Sequence, residues 1–138
     1  MGSVVAQMSM SLDGFIADPA DGVEEMFGWY GNGPVEFTCP DPRWMFRVSE
    51  ASAEHLREGF AGGGRAALRA AAVRAHPSMG GNHPLGVPVF VVTHAVPDGW
   101  PQADKPFTFV TDGIASAVER ARAAAGDRKV AGSGSSTT

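Results

Sequence analysis

Asp13 and Gly14 are the residues whose types and spacing most readily do chemistry. They sit in Met8-Ser9-Met10-Ser11-Leu12-Asp13-Gly14-Phe15-Ile16-Ala17-Asp18, where an acid and a glycine interrupt an otherwise apolar and small run. Two readings stand. Asp and Gly both tolerate turn conformations, so the pair can simply be a tight turn. Alternatively, a strand delivers a carboxylate and a bare backbone to the carboxyl edge of a sheet, where open α/β folds bind ligands. A carboxylate placed there can hold substrate N–H groups or move a proton.

Gly132-Ser133-Gly134-Ser135-Ser136 is the second candidate. After a strand it can cradle phosphate with backbone N–H groups, or it can be a frayed tail. Gly62-Gly63-Gly64-Arg65 is a weaker phosphate loop, without the lysine and the Ser or Thr of a P-loop. His55, His76, His83 and His94 show no metal-ligand spacing and Cys39 stands alone, so no metal site is expected. No Ser-His-Asp set can be picked out. Trp29, Tyr30 and Trp44 are able to stack on a flat ring, or to pack as ordinary core.

These residues need elements to hold them. Ser3–Met8 reads as a first strand, and Val87–Thr93, β-branched and apolar on both faces, as the clearest one. Phe107–Thr111 reads as another strand. Asp112 is placed to cap a helix over 113–125, with Ile114, Val118 and Ala121 at helical spacing and Gly126 as a stop. Lys129-Val130-Ala131 begins a last strand. Ser49 or Ser52 can cap a helix that runs to Glu58. Glu24–Pro42 reads as a long aromatic-bearing loop, and Arg65–Ala75, rich in alanine and arginine, as a helix of small apolar face. Strand, strand, helix, strand at short spacing points to an α/β domain with a largely parallel sheet.

The bulk numbers agree with one folded domain. The chain has 138 residues, 43% hydrophobic and 19% charged, enough for a single core. A net charge of -4 without a basic block argues against nucleic acid as a partner. The single cysteine excludes an internal disulfide, and no run is long and apolar enough to span a bilayer. A cytoplasmic protein with no membrane partner is expected.

Three stretches, Met8–Asp18, Gly80–His94 and Phe107–Gly132, together resemble the dihydrofolate reductase-like proteins related to the reductase domain of the riboflavin-pathway deaminase-reductase. The resemblance implies a three-layer α/β/α fold, here incomplete at the C-terminus, that binds NADPH at the carboxyl edge of its sheet. It implies hydride transfer to a pyrimidine- or pteridine-like substrate. Carried onto this chain, Asp13 is the catalytic candidate, and Ser11, Gly14 and Trp29 meet the substrate. Thr93, Gly132, Ser133 and Gly134 meet the cofactor. A small-molecule substrate and a homodimer are the expected partners, and residues 1–138 form one partial domain with a flexible tail from 132. The alternative is a degenerate, non-catalytic fragment or a small-molecule-binding module of the same fold.

Two departures from the family pattern stand out. The family follows a strand with Gly-Arg-Arg or Gly-Arg-Lys, whose arginine meets the extra phosphate of NADPH. The atypical segment 59–80 has no such motif, and Arg65, Arg69 and Arg74 are the nearby cations. The family also continues beyond the glycine loop into further strands. Loss of one core strand and a terminal hairpin is therefore expected. Codons for Arg69 to Met79, read one base on, can spell Gly-Arg-Arg-Leu-Phe-Glu-Leu-Thr, two free positions and a forced Trp, just before Gly81-Asn82-His83. A compensated frameshift is the reading, and a stop or a missing motif in that frame of the gene refutes it.

Overall fold

In the computed structural model, which describes residues 2–6, 10–15, 18–20, 24–61, 66–70, 83–96, 98 and 106–133, β1 (Val4–Ala6) comes first. There follow α1 (Glu24–Phe27), a 3-10 turn (Gly28–Tyr30), β2 (Val35–Thr38), β3 (Met45–Val48) and α2 (Glu50–Ala61). The described chain then runs through β4 (Ala66–Ala70), β5 (Val89–Val92), β6 (Phe107–Val110), α3 (Ile114–Ala125) and β7 (Val130–Ser133). Gln7, Met8 and the segment 71–82 lie outside the described residues, as does 134–138.

Five strands make one parallel sheet in the order β1-β7-β4-β5-β6. The chain moves outward from β4 to β6, then α3 carries it back so that β7 inserts between β1 and β4. The register pairs Gly132 with Ala6 on one side and Leu68 on the other, and Val92 with Ala70 and Val110. All five strands point the same way, so their carboxyl ends share one rim.

Val89-Phe90-Val91-Val92 has no polar face because parallel strands are covered on both sides. Val89 and Val91 pack with Phe107 and Phe109 on one face. Phe90, Val110 and Val130 face the other way, onto Ala117, Ala121 and Ala125 of α3. These alanines recur every four residues, so their methyl groups let the helix lie close across β4, β5, β6 and β7. Each fully buried valine of this set contributes about 1.5–3 kcal/mol.

A second core forms around the antiparallel β2–β3 hairpin, with Val35 opposite Val48 and Phe37 opposite Phe46. Period-two alternation sends Phe37 and Val48 inward onto Ala53 and Leu56 of α2, while Glu36 and Arg47 stand opposite each other on the outer face. Gly33 enters the hairpin so closely that a Cβ would lie 1.9 Å from the Val48 carbonyl carbon, which only glycine allows. Ser49, not Ser52, caps α2: its Oγ accepts the Ser52 N–H at 3.2 Å and its carbonyl accepts the Ala53 N–H at 2.9 Å.

Four expectations are corrected. Glu24–Pro42 is not one long loop, because its alternating Val35 and Phe37 find a partner strand in Met45–Val48. The expected helix over Arg65–Ala75 is a strand from Ala66 to Ala70, paired on both sides, so sheet pairing overrides alanine's helix preference and the central strand is present. Gly132 and Ser133 belong to β7 rather than to a loop or tail, since Leu68 and Arg69 of β4 pair with them. Asp112 does not cap α3: the N-cap is Gly113, and the Asp112 carboxylate turns to side chains instead. The architecture is mixed α/β, with α3 on one face of the parallel sheet and α2 against the hairpin.

Candidate functional site

The parallel sheet brings the exits of β1, β5 and β7 to one rim, and with them Thr93 and Ser133; Ser11–Phe15 follows β1 in the chain beyond residues 7–9, which lie outside the described residues. The Ser11–Phe15 loop closes on itself. Ser11 N–H donates to the Phe15 carbonyl at 2.8 Å, and Gly14 N–H donates to the Ser11 carbonyl at 3.0 Å. Ser11 Oγ accepts the Phe15 N–H at 2.9 Å and donates to Asp13 Oδ1 at 2.6 Å. Gly14 adopts φ of 91°, the left-handed region that a turn needs here. The Ser11 hydroxyl thus orients the Asp13 carboxylate, which is exposed.

Thr93 N–H donates to the Val110 carbonyl at 3.1 Å, and its Oγ1 donates to the Ala95 carbonyl at 2.8 Å. On β7, a Cβ at Gly132 would sit 3.4 Å from the Val5 carbonyl oxygen, so the backbone is bare beside β1. Arg69 of β4 is in register with Ser133 and Val91. Gly134, Arg65 and Arg74 lie outside the described residues. At the exit of β6, Asp112 Oδ2 accepts from Ser116 Oγ at 2.8 Å and from Arg120 at 3.2 Å. The Ser116 hydrogen bond, helped by the Arg120 charge, holds the Asp112 carboxyl below the usual carboxylate range.

Trp29 packs in the hairpin core rather than with the Ser11–Phe15 loop. Its ring stacks on Tyr30 at 4.0 Å, and with Ala51, Ser52 and His55 it lines an open groove of about 330 Å³. A second groove, about 420 Å³, lies on the outer face of α3 beside Ile114, Val118 and Arg122.

Sequence reasoning missed the polar lock of the hairpin. Asp41, 5% exposed, accepts from Arg43 Nε at 2.9 Å through Oδ1 and from Arg43 Nη2 at 2.5 Å through Oδ2. Its N–H donates to the Pro84 carbonyl at 2.9 Å, tying the hairpin tip to the His83–Gly86 turn ahead of β5. Hydrogen bonding to Arg43 pulls the Asp41 carboxyl below the carboxylate range. Burial, reinforced by the Asp41 charge, pushes the Cys39 thiol up to about 11. Burial, then Cys39, raises the Tyr30 phenol. The only sequence signal for this lock was Asp41-Pro42-Arg43, an acid and a base around a turn-forming proline.

Among the described residues no three His, Cys, Asp or Glu side chains converge as a metal site, and no helix is long and apolar enough to cross a membrane. Comparison with known proteins finds no matching family model and no matching curated protein.

Proposed function

We propose that the chain is an NADPH-dependent reductase of the dihydrofolate reductase-like type, acting on a pyrimidine- or pteridine-like small molecule. The observation that carries this reading is the shared rim. β7 inserts between β1 and β4, and such a reversal of strand order is where open parallel sheets leave a ligand crevice. Thr93 and Ser133 stand at the exits of β5 and β7 on that side, and β1 runs out there toward the Asp13 loop in the sequence. What suits a dinucleotide is the exit of the glycine-bearing strand β7 between β1 and β4, at the middle of that rim. Gly132, Ser133 and Gly134 would hold the pyrophosphate, and Thr93 the neighbouring wall. NADPH, when bound, supplies the hydride. The protein's own share is orientation and electrostatics. Asp13, oriented by Ser11, holds the N–H groups of the ring that accepts the hydride, and Gly14 keeps the loop open to it.

A second reading, a non-catalytic member of the same fold, is favoured by the exposure of Leu12 and Phe15, which leaves the Asp13 loop without a described opposing wall. Titration with NADPH, followed by nicotinamide fluorescence, separates the two. The reductase reading expects a saturable signal, retained in Asp13→Asn, while turnover of dihydrofolate or an aminopyrimidine falls at least about tenfold in that variant. A folded protein with no saturable NADPH signal contradicts it.

A further inference from the structure

We infer that the hairpin tip Cys39–Trp44 is a clasp, fastened by Arg43 onto the His83–Gly86 turn, which opens and closes as a local unit while the parallel sheet stays folded, and whose opening uncovers Cys39. The tip is closed by its own bonds. Cys39 N–H donates to the Trp44 carbonyl at 2.9 Å, and Trp44 N–H donates to the Asp41 carbonyl at 3.0 Å. Arg43 N–H donates to Asp41 Oδ1 at 3.1 Å, and the Arg43 side chain donates to both carboxylate oxygens. Arg43 reaches round the tip from outside: its side chain is 63% exposed, that of Asp41 only 4%.

The other half of the clasp comes from the turn ahead of β5. Asp41 N–H donates to the Pro84 carbonyl at 2.9 Å, inside a turn that Gly86 N–H closes onto the His83 carbonyl at 2.8 Å. Leu85 N–H donates to His83 Nδ1 at 3.2 Å. Gly86 adopts φ of 64°, in the left-handed region, and a Cβ there would sit 3.6 Å from the Asp41 Cβ. By fixing the Asp41 carboxylate, Arg43 fixes the backbone N–H that the turn grips. Among the described residues, the core beneath the tip, Phe37, Cys39, Val48, Ala53 and Leu56, shares no buried residue with the clusters on the two faces of the sheet. Beyond the turn, β5 is held by β4 and β6 on its two sides, so release of Pro84 leaves these ladders intact. An opening that breaks few bonds and exposes little surface costs less than unfolding. Cys39 is 4% exposed at the base of the tip, so its reaction with a thiol reagent reads the opening.

The test is the rate at which an aromatic disulfide reagent labels Cys39 in the folded full chain at pH 8, across low urea concentrations, beside amide hydrogen exchange of the sheet. In the wild type, labelling should be slow and should rise with urea less steeply than global unfolding does, because the opening exposes less surface. Arg43→Gln removes the charge and the two-pronged grip. It should be labelled about tenfold or more faster, with exchange across Val89–Val92 and Val130–Ser133 unchanged. Gly86→Ala strains the turn at its positive φ, and should speed labelling as well although residue 86 is outside the hairpin and the ion pair is left in place. The wild-type urea slope needs no variant, so it decides the matter even where a variant fails to fold. Labelling as steep in urea as global unfolding, an unchanged labelling rate in either folded variant, or equal acceleration of exchange in the sheet overturns the inference.

Discussion

Asp41 shows how one side chain can join two parts of the molecule. Its carboxylate is gripped by Arg43 while its backbone N–H holds the Pro84 carbonyl at 2.9 Å. The folded state lowers its pKa below the ordinary 3.8, so the ion pair stabilises the fold at pH above that value. That stability is lost as pH falls through the folded-state pKa. Asp41→Asn is therefore expected to lower the Tm at neutral pH, and the gap from wild type should close on the acid side of about pH 4, as calorimetry across that range would show. Cys39 makes the opposite case. Its thiol is buried and raised to about 11, so it should resist thiol reagents at pH 8 in the native protein and react at once after unfolding. Its neutral form contributes stability below about pH 9, lost as pH rises toward 11. Neither role was legible in the sequence. Asp41-Pro42-Arg43 reads as any exposed turn, and the Asp41 N–H meets the Pro84 carbonyl, more than 40 residues on, only in the folded chain. Asp13 and Gly14 stood out by residue type, and Ser11 by the resemblance, but not the 2.6 Å bond by which Ser11 orients the acid.

At the level of elements, strength of pattern decided what could be read. β5 was plain because a β-branched run fits one structure; α3 was read from Ile114, Val118 and Ala121 at helical spacing, but its buried face is Ala117, Ala121 and Ala125 and Ile114 is exposed, because only methyl groups let the helix lie close on the sheet. Gly126 stops α3, its N–H donating to the Arg122 carbonyl at 2.9 Å. β4 was hidden because Ala66-Ala67-Leu68-Arg69-Ala70 favours a helix locally, and only ladders to β5 and β7 make it a strand. The hairpin was hidden because glycines and prolines surround four-residue strands whose alternation is short. Its tightest point gives a direct check. In Gly33→Ala the new methyl group would meet the Val48 carbonyl, and overpacking of this kind costs about 1–3 kcal/mol. Urea unfolding should show a lower midpoint with little change in slope. Phe37→Ala, which empties the centre of the same cluster, should cost about 3–5 kcal/mol by the same measurement.

For the whole molecule, the consequence of these elements is a parallel sheet with an order reversal at β7 and a single rim of strand exits. At one end of the sheet order stands β1, whose pairing partner among the described residues is β7. The rim was foreseeable from the alternation of strands and helices, whereas the sheet order, set by which strands pair across long sequence distances, was not. The proposed NADPH site lies at this rim, and amide hydrogen exchange of the folded chain with and without NADPH reads it out. NADPH bound there is expected to slow exchange in Ser11–Phe15, at Thr93 and at Gly132-Ser133, with no change at Asp41–Trp44. Protection confined to the hairpin or to the outer face of α3, or no protection anywhere, would contradict it.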